Sequence, residues 1–301
     1  MRVVLAGASG FVGRHVWREL TDTGARVTTV GRRVPPWSDR HECLDLTGPD
    51  GAGLVALLTG DGSPVVLVNC AGATGSDLPA LAEANVALPA ALVAAAARVA
   101  TPVRLVHLGS AAEYGPVEPG HASAEGDPAR PVGGYGLSKL AGTHVVGSAR
   151  AFGLDAVVLR LTNPVGAGAP ASSLPGRLAA ELRRARGGPG PVRIGAVDAV
   201  RDFVDVRDVA RAVVAAARVP ALDVPVLNIG SGRATVVKEL VDALVEVSGY
   251  RGEIRHDGDG STRSASVPWQ RADITAAAKV LGWQPRSELR TMLTSLWRDP
   301  A

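Results

Sequence analysis

Residues 3–13 read Val3-Val4-Leu5-Ala6-Gly7-Ala8-Ser9-Gly10-Phe11-Val12-Gly13, and a segment of helical period follows towards Leu20. The apolar run predicts a strand, and the three glycines mark a turn into a helix. Gly7 permits the tight turn, Gly10 lets the backbone approach a pyrophosphate, and Gly13 lets the helix pack closely on the strand. The N–H groups and dipole at the start of that helix favour phosphate. An isolated glycine turn would be a weak signal. Its place as the first strand-turn-helix of an alternating chain gives it weight.

Working outward, valine- and leucine-rich runs at Val27-Val30, Val65-Asn69, Val103-Leu108 and Ala156-Leu161 alternate with longer alanine- and leucine-rich segments of helical period. These runs lack polar alternation, so they predict strands buried on both faces. The expected architecture is α/β: a doubly wound parallel sheet of the Rossmann type with helices on each side. After Leu161 the regularity breaks into the Gly/Pro-rich run Asn163-Pro164-Val165-Gly166-Ala167-Gly168-Ala169-Pro170. The chain therefore divides into a dinucleotide-binding domain, residues 1–162, and a mainly smaller substrate-binding region, residues 163–301. A strand and helix near 201–230 are expected to return to the first part. The second part should hold helices near Leu174-Arg186, Val236-Val247, Ile274-Leu281 and Leu289-Leu296, and a strand at Val224-Asn228.

With 301 residues and 46% hydrophobic content the chain can bury a sizeable core. Its 32 basic and 29 acidic residues are dispersed, which gives no support to nucleic-acid binding but suits an anionic small molecule. Cys43 and Cys70 lie in or beside strand-like runs and read as buried thiols in a reducing compartment. The N-terminus enters a strand without the sections of a signal peptide, so a cytoplasmic protein is expected. The apolar stretch Val86 to Ala100 carries Pro89 and Arg98 and falls short of the about 30 Å of a bilayer core. It reads as a core helix, with no membrane partner and no metal site.

The second strand ends Val30-Gly31-Arg32-Arg33, where dinucleotide-binding folds usually carry a carboxylate for the adenosine ribose. Guanidinium groups bind a 2′-phosphate that a carboxylate would repel, so Arg32 and Arg33 favour NADP(H), with NAD(H) as the alternative if they are only solvated loop charges. Tyr135-Gly136-Leu137-Ser138-Lys139 puts a phenol and an ammonium one helical turn apart on one face. A neighbouring cation lowers a phenol's pKa, and such a phenol can protonate an alkoxide as hydride arrives. Ser110 follows a strand at its C-terminal end, where open α/β sheets place ligands, and could bond the substrate oxygen. The plainer readings are an exposed helix face for the Tyr/Lys pair and a turn serine for Ser110.

Together these residues resemble the extended short-chain dehydrogenase/reductase superfamily, in its NAD(P)-dependent sugar-nucleotide epimerase, dehydratase and reductase branch. The resemblance spans nearly the whole chain. It rests on the glycine turn, Asp45-Leu46, Ala71-Gly72, Asn85-Val86, Gly109-Ser110-Ala111-Ala112-Glu113-Tyr114-Gly115, Tyr135-Gly136-Leu137-Ser138-Lys139, Arg160-Leu161-Thr162-Asn163-Pro164, Arg201-Asp202-Phe203-Val204-Asp205-Val206, Asn228-Ile229-Gly230-Ser231-Gly232 and Leu281-Gly282-Trp283. It implies a cofactor site built from Gly7, Ser9, Gly10, Phe11, Val12, Gly13, Asp45, Leu46, Ala71, Gly72, Ala73 and Asn85, with Asp45 and Leu46 at the adenine. It implies a catalytic triad of Ser110, Tyr135 and Lys139, with Lys139 also on the nicotinamide ribose. Ser110, Ala112, Asn163 and Arg201 would meet the substrate, the last two at the diphosphate of a nucleotide sugar. Asn163 as a loop cap, and Arg201 paired with Asp202 or Asp205, are the structural alternatives. The missing acidic residue after the second strand, Asp205 where a histidine is common, and the short chain depart from the branch. A homodimer through the helix carrying Tyr135 is implied by analogy.

The leading expectation is NADPH-dependent reduction of a keto group on a nucleotide-activated deoxysugar, with the proton from Tyr135. The alternatives are an NAD-dependent sugar-nucleotide epimerase or dehydratase, a ketoreductase of a polyketide or other natural product, and a non-catalytic dinucleotide sensor. A sensor would have no need of Ser110, Tyr135 and Lys139 together.

Overall fold

The apolar run that opens the chain forms strand β1 (Arg2–Ala6), and the glycine turn leads into helix α1 (Phe11–Asp22). The computed structural model describes residues 1–48, 51–186, 191–256 and 267–300. Strands β2 (Arg26–Gly31), β3 (His41–Cys43), β4 (Val65–Asn69), β5 (Val103–Ser110) and β6 (Asp155–Leu161) join β1 in a seven-stranded parallel sheet. Its order runs from Val226–Ile229 at one edge through β6, β5, β4, β1 and β2 to β3 at the other. Leu5 lies opposite Thr29 and Val68, and Val68 opposite Val106.

Successive side chains of a strand point to opposite faces, and both faces here are apolar. Val3, Leu5, Val66, Val68, Val106 and Val157 pack with Val16 and Leu20 of α1 and with Val209 and Val213. Val4, Leu67, Leu105 and Val158 pack on the other face with Leu54 and Leu58 of α2 (Gly51–Thr59) and with Leu88 and Leu92. All five residues of β4 are buried, the signature of a central strand covered on both sides. This is the doubly wound sheet that the valine-rich runs predict.

Two expectations need correction. The apolar stretch taken to begin at Val86 is the second half of a 19-residue helix, Leu78–Ala96, long and apolar enough to cross a membrane, with 33% of its most apolar window buried. Helical segments α3 (Leu78–Ala82) and α4 (Leu88–Ala96) are joined by a π turn, Glu83–Ala87. Pro89 sits in the first turn of α4, where a missing N–H costs little, so it extends the helix rather than ending it. Leu88, Leu92, Ala95 and Ala96 lie in the apolar core on one face of the sheet, as a core helix requires, while Leu78 at its start is exposed, so the bounds and length of the helix are what change. Cys43 is exposed rather than buried, because β3 is the edge strand. Cys70, beyond β4, is half-buried, and burial pushes its thiol up to about 12.

Beyond β6 the chain builds a third apolar cluster in which Leu178 and Leu182 of α6 (Leu174–Arg186) meet Phe203, Leu240, Leu244, Met292, Leu293 and Leu296. Helix α7 (Val206–Arg218) turns back to pack on α1, and Val226–Ile229 pairs with β6. Buried Asp202 ties together segments far apart in the chain. Its carboxylate accepts from the N–H groups of Ser231, Gly232 and Ala272 and from the Ser231 hydroxyl.

Candidate active site

The C-terminal ends of β1, β4 and β5 frame one edge of the sheet, where a doubly wound fold opens to ligands. At β1, Gly7 has φ +79°, and a Cβ there would lie 2.3 Å from the Ala71 nitrogen. A Cβ on Gly13 would stand 2.0 Å from the Gly7 carbonyl, so that glycine lets α1 dock on the turn. Gly10 differs, since a Cβ there would meet only the Gly7 carbonyl, at 3.4 Å. The chain itself scarcely restricts Gly10, which leaves that face of the turn open to an approaching group. Gly10 also caps α1 without a capping side chain, leaving the first-turn N–H groups for an external acceptor. A cradle of this form fits the pyrophosphate of a dinucleotide.

Beside it, residues 71–73 are fixed from below. Asn69 accepts from the Ala71 N–H at 3.0 Å. Asn85, buried in the π turn, exchanges two 3.0 Å bonds with the Ala73 backbone and donates to the Ser138 hydroxyl. Its amide thus ties the loop of Ala71, Gly72 and Ala73 to helix α5 (Gly133–Ala149). Arg32 and Arg33 lie exposed just past β2. Half-buried Asp45 and Leu46 follow β3, and the Asp45 carboxyl is held below the usual range by the Thr47 N–H and hydroxyl, with Arg32 adding to it.

Helix α5 carries Tyr135 and Lys139. A Cβ on Gly136 would come 2.6 Å from the Ala112 carbonyl, so the helix presses directly on the turn after Ser110. Lys139 is buried, and its Nζ donates to the Leu108 carbonyl of β5 at 2.5 Å. Burial brings its pKa down to about 8, against the opposing pull of Glu113. Tyr135 is half-buried one turn earlier. Ser110 caps the short turn Ala111–Glu113, its Oγ accepting from the Ala112 N–H at 3.1 Å. The turn role is therefore what the structure shows for Ser110, at the C-terminal end of β5. Nearby His107 is kept neutral by burial, with the positive charge of Lys139 acting in the same direction.

Asn163 lies in a short strand, Asn163–Val165, parallel to Phe203–Asp205, and is not a loop cap. Its Nδ2 donates to the Asp202 carbonyl at 2.9 Å and to the Gln270 side chain at 2.8 Å, leaving its own oxygen to accept. Arg201 is buried, with Nη1 donating to the Val200 carbonyl. Asp205 caps α7 through the Arg207 N–H and holds the Arg207 guanidinium at 2.5 Å. Among the described residues no His/Cys/Asp/Glu group could hold a metal.

The sequence reading assigned no role to the buried chain beneath Ser110. Glu113 accepts from the Ser110 N–H and from Arg160, Arg160 lies 4.7 Å over the Tyr114 ring, and Tyr114 donates to Asn228. The available signal was a charge in each of two otherwise apolar stretches, since a buried charge calls for a partner.

The NAD dependent epimerase/dehydratase family matches residues 3–230, and the chain belongs to it. It is thereby an NAD(P)-dependent enzyme of the extended short-chain dehydrogenase/reductase type. Over 98% of this chain and 94% of its own length, the dTDP-6-deoxy-L-talose 4-dehydrogenase (NAD(P)(+)) of Kitasatospora kifunensis is 40% identical. A UDP-glucose 4-epimerase of Mycolicibacterium smegmatis is 28% identical over 96% of this chain and 95% of its own. Among solved structures, MoeE5 in complex with UDP-glucuronic acid and NAD superimposes with a TM-score of 0.84 at 31% identity, covering 98% of this chain and 97% of that one.

Proposed function

We propose that the chain reduces a keto group on a nucleotide-activated 6-deoxysugar, using NADPH. The observation that carries this reading is the contact of Lys139 with the Leu108 carbonyl, which sets the α5 face bearing Tyr135 against the turn of Ser110. The glycine cradle lies along the same sheet edge. Similarity to the talose dehydrogenase over nearly the full length supports the 6-deoxysugar and a keto group at its C4 position.

When bound, the dinucleotide supplies the hydride for the carbonyl carbon. Ser110 donates its O–H to the carbonyl oxygen and holds it in place. Tyr135 delivers its phenolic proton to that oxygen as negative charge develops there, so the ketone becomes a secondary alcohol. Lys139, a cation on the same helix face, favours the phenolate that remains. Arg32 and Arg33 bind the 2′-phosphate that distinguishes NADPH. Gly7, Ser9, Gly10, Phe11, Val12 and Gly13 carry the pyrophosphate, and Ala71 to Ala73, braced by Asn85, carry the ribose side. Ala112, the oxygen of Asn163 and the guanidinium of Arg201 face the sugar nucleotide. In this reading residues 1–162, with the returning segment near 201–230, hold the dinucleotide, and the remainder holds the substrate. The enzyme works in the cytoplasm, in keeping with two free thiols, and as a homodimer, for which exposed Leu78 and Leu137 offer apolar surface.

The test is oxidation of NADPH in the presence of a dTDP-4-keto-6-deoxyhexose. Substrate-dependent oxidation with formation of the alcohol is expected. The second reading, an epimerase, is favoured by the matched UDP-glucose 4-epimerase. Tightly copurified NAD and interconversion of two sugar nucleotides without net cofactor turnover would select it.

A further inference from the structure

We infer that Glu113, locked by Arg160, is a positioning residue that fixes Ser110 for its work on the substrate carbonyl. The inference rests on the proposed role of Ser110 and adds what holds that serine in place.

Glu113 is fully buried, and its two carboxylate oxygens have separate tasks. Oε1 accepts from the Ser110 N–H at 2.7 Å, and Oε2 accepts from Arg160 Nε at 2.7 Å. The Ser110 side chain bonds back to the same turn through the Ala112 N–H. Backbone and hydroxyl of Ser110 are thus gripped reciprocally, and the grip is transmitted to β6, where Arg160 lies opposite Gly109. Gly109 is the complement to this arrangement, because a Cβ there would fall 2.7 Å from Glu113 Oε1 and 2.7 Å from Val158 Cγ1. The strand omits a side chain next to the serine, and the glutamate occupies that space.

Arg160 is in turn held from its other side. Its guanidinium lies over the ring of Tyr114, whose hydroxyl donates to Asn228 Oδ1 at 2.7 Å. Asn228 donates to the Ser123 carbonyl and, through its N–H, to Glu125. A carboxylate buried this deeply is costly unless paired and bonded, and here both oxygens are used. The reciprocal bonds of Ser110 and Glu113 form a capping box, a common way to close such a turn, and what exceeds it here is the buried Arg160 that locks the glutamate from β6. Running a charged pair across two central strands to reach one backbone N–H is an arrangement that serves position. The negative charge of the same carboxylate also favours the charged form of Lys139.

Glu113→Gln keeps the shape and an acceptor oxygen but loosens the hold on Arg160. The experiment measures kcat and KM for NADPH-dependent keto reduction in wild type, S110A, E113Q and S110A/E113Q, with thermal melts of each. E113Q is expected to lower kcat roughly tenfold while KM changes less than about twofold, since small misplacement of a reacting group costs rate rather than ground-state binding. In the S110A background, E113Q is expected to cost less than about twofold, because the two residues then act as one unit. Wild-type kcat in E113Q, or a full additional loss on top of S110A, would overturn the inference. If S110A itself turned over at the wild-type rate, the proposed role of Ser110 would fail instead, so the two failures are distinguishable. Should E113Q not fold, E113L/R160M removes both charges together, a change that buried pairs often tolerate. It is expected to fold with the same loss of kcat, and full turnover would overturn the inference.

Discussion

Lys139 donates from its ammonium to the main-chain carbonyl of Leu108 at 2.5 Å, across the gap between α5 and the central strand β5. That single bond holds the helix face of the proposed proton donor in register with the end of the strand that carries Ser110. It also places a positive charge where little water reaches, which makes Lys139 a pH-sensitive element of the fold.

The sign of that sensitivity follows from its pKa of about 8 in the fold, against an ordinary lysine value of 10.5. Between those values the unfolded chain binds a proton that the folded chain has released, so stability rises with pH across this window. Below about 8 both states are charged and the burial penalty is borne in full. Wild type should therefore gain stability relative to K139M as pH climbs from 8 towards 10.5. Urea melts of both proteins across that range check it, and a constant difference would contradict the burial argument.

Removing the phenol oxygen isolates the proton step. Tyr135→Phe should retain fold and NADPH affinity, because the ring and helix persist, while kcat for keto reduction falls by roughly 10²–10⁴. Cofactor titration by fluorescence and steady-state turnover test the two halves. Near-wild-type turnover would remove Tyr135 from the mechanism.

The glycines of the first turn should separate by function. Gly7→Ala puts a methyl 2.3 Å from the Ala71 nitrogen at φ +79° and should destabilise the protein by about 1–3 kcal/mol. Gly10→Ala meets only a 3.4 Å contact, so it should melt near wild type and yet bind NADPH weakly. Thermal melts with and without NADPH distinguish the two. A destabilised Gly10→Ala with intact binding would reverse the assignment.

Those two glycines also mark how far the sequence could be read. Spacing and position identified the turn, and the unbroken apolar runs gave β1, β2, β4, β5 and β6 to within two residues at each end, because central parallel strands need apolar side chains on both faces. A strand-like run beside Cys43 was legible, but its burial was misjudged, because a strand's place at the sheet edge, where β3 leaves Cys43 exposed, is set by topology and not by local pattern. The helix was expected from Val86, where the alanine- and leucine-rich run begins, and its first turns from Leu78 were missed because Glu83 and Asn85 interrupt the apolar pattern there. Glu113 and Arg160 are 47 positions apart. Each was visible as an isolated charge in apolar surroundings, but their pairing depends on strand register, and that exists only after the sheet has formed.

Cofactor choice offers the last test, and it rests on two exposed side chains. Arg32 and Arg33 stand just beyond β2, where a 2′-phosphate would need bidentate donors and a bare ribose would not. Replacing both by serine removes the donors without burying or exposing core, so stability should change by less than about 0.5 kcal/mol. The ratio of kcat/KM for NADPH to that for NADH should fall by roughly tenfold or more, with the NADH value little altered, since a charge-assisted hydrogen bond contributes about 1.5–3 kcal/mol. Kinetics with each cofactor at fixed ionic strength measure the ratio. An unchanged ratio would make the two arginines ordinary surface charges and leave NADPH without a structural reason to be preferred.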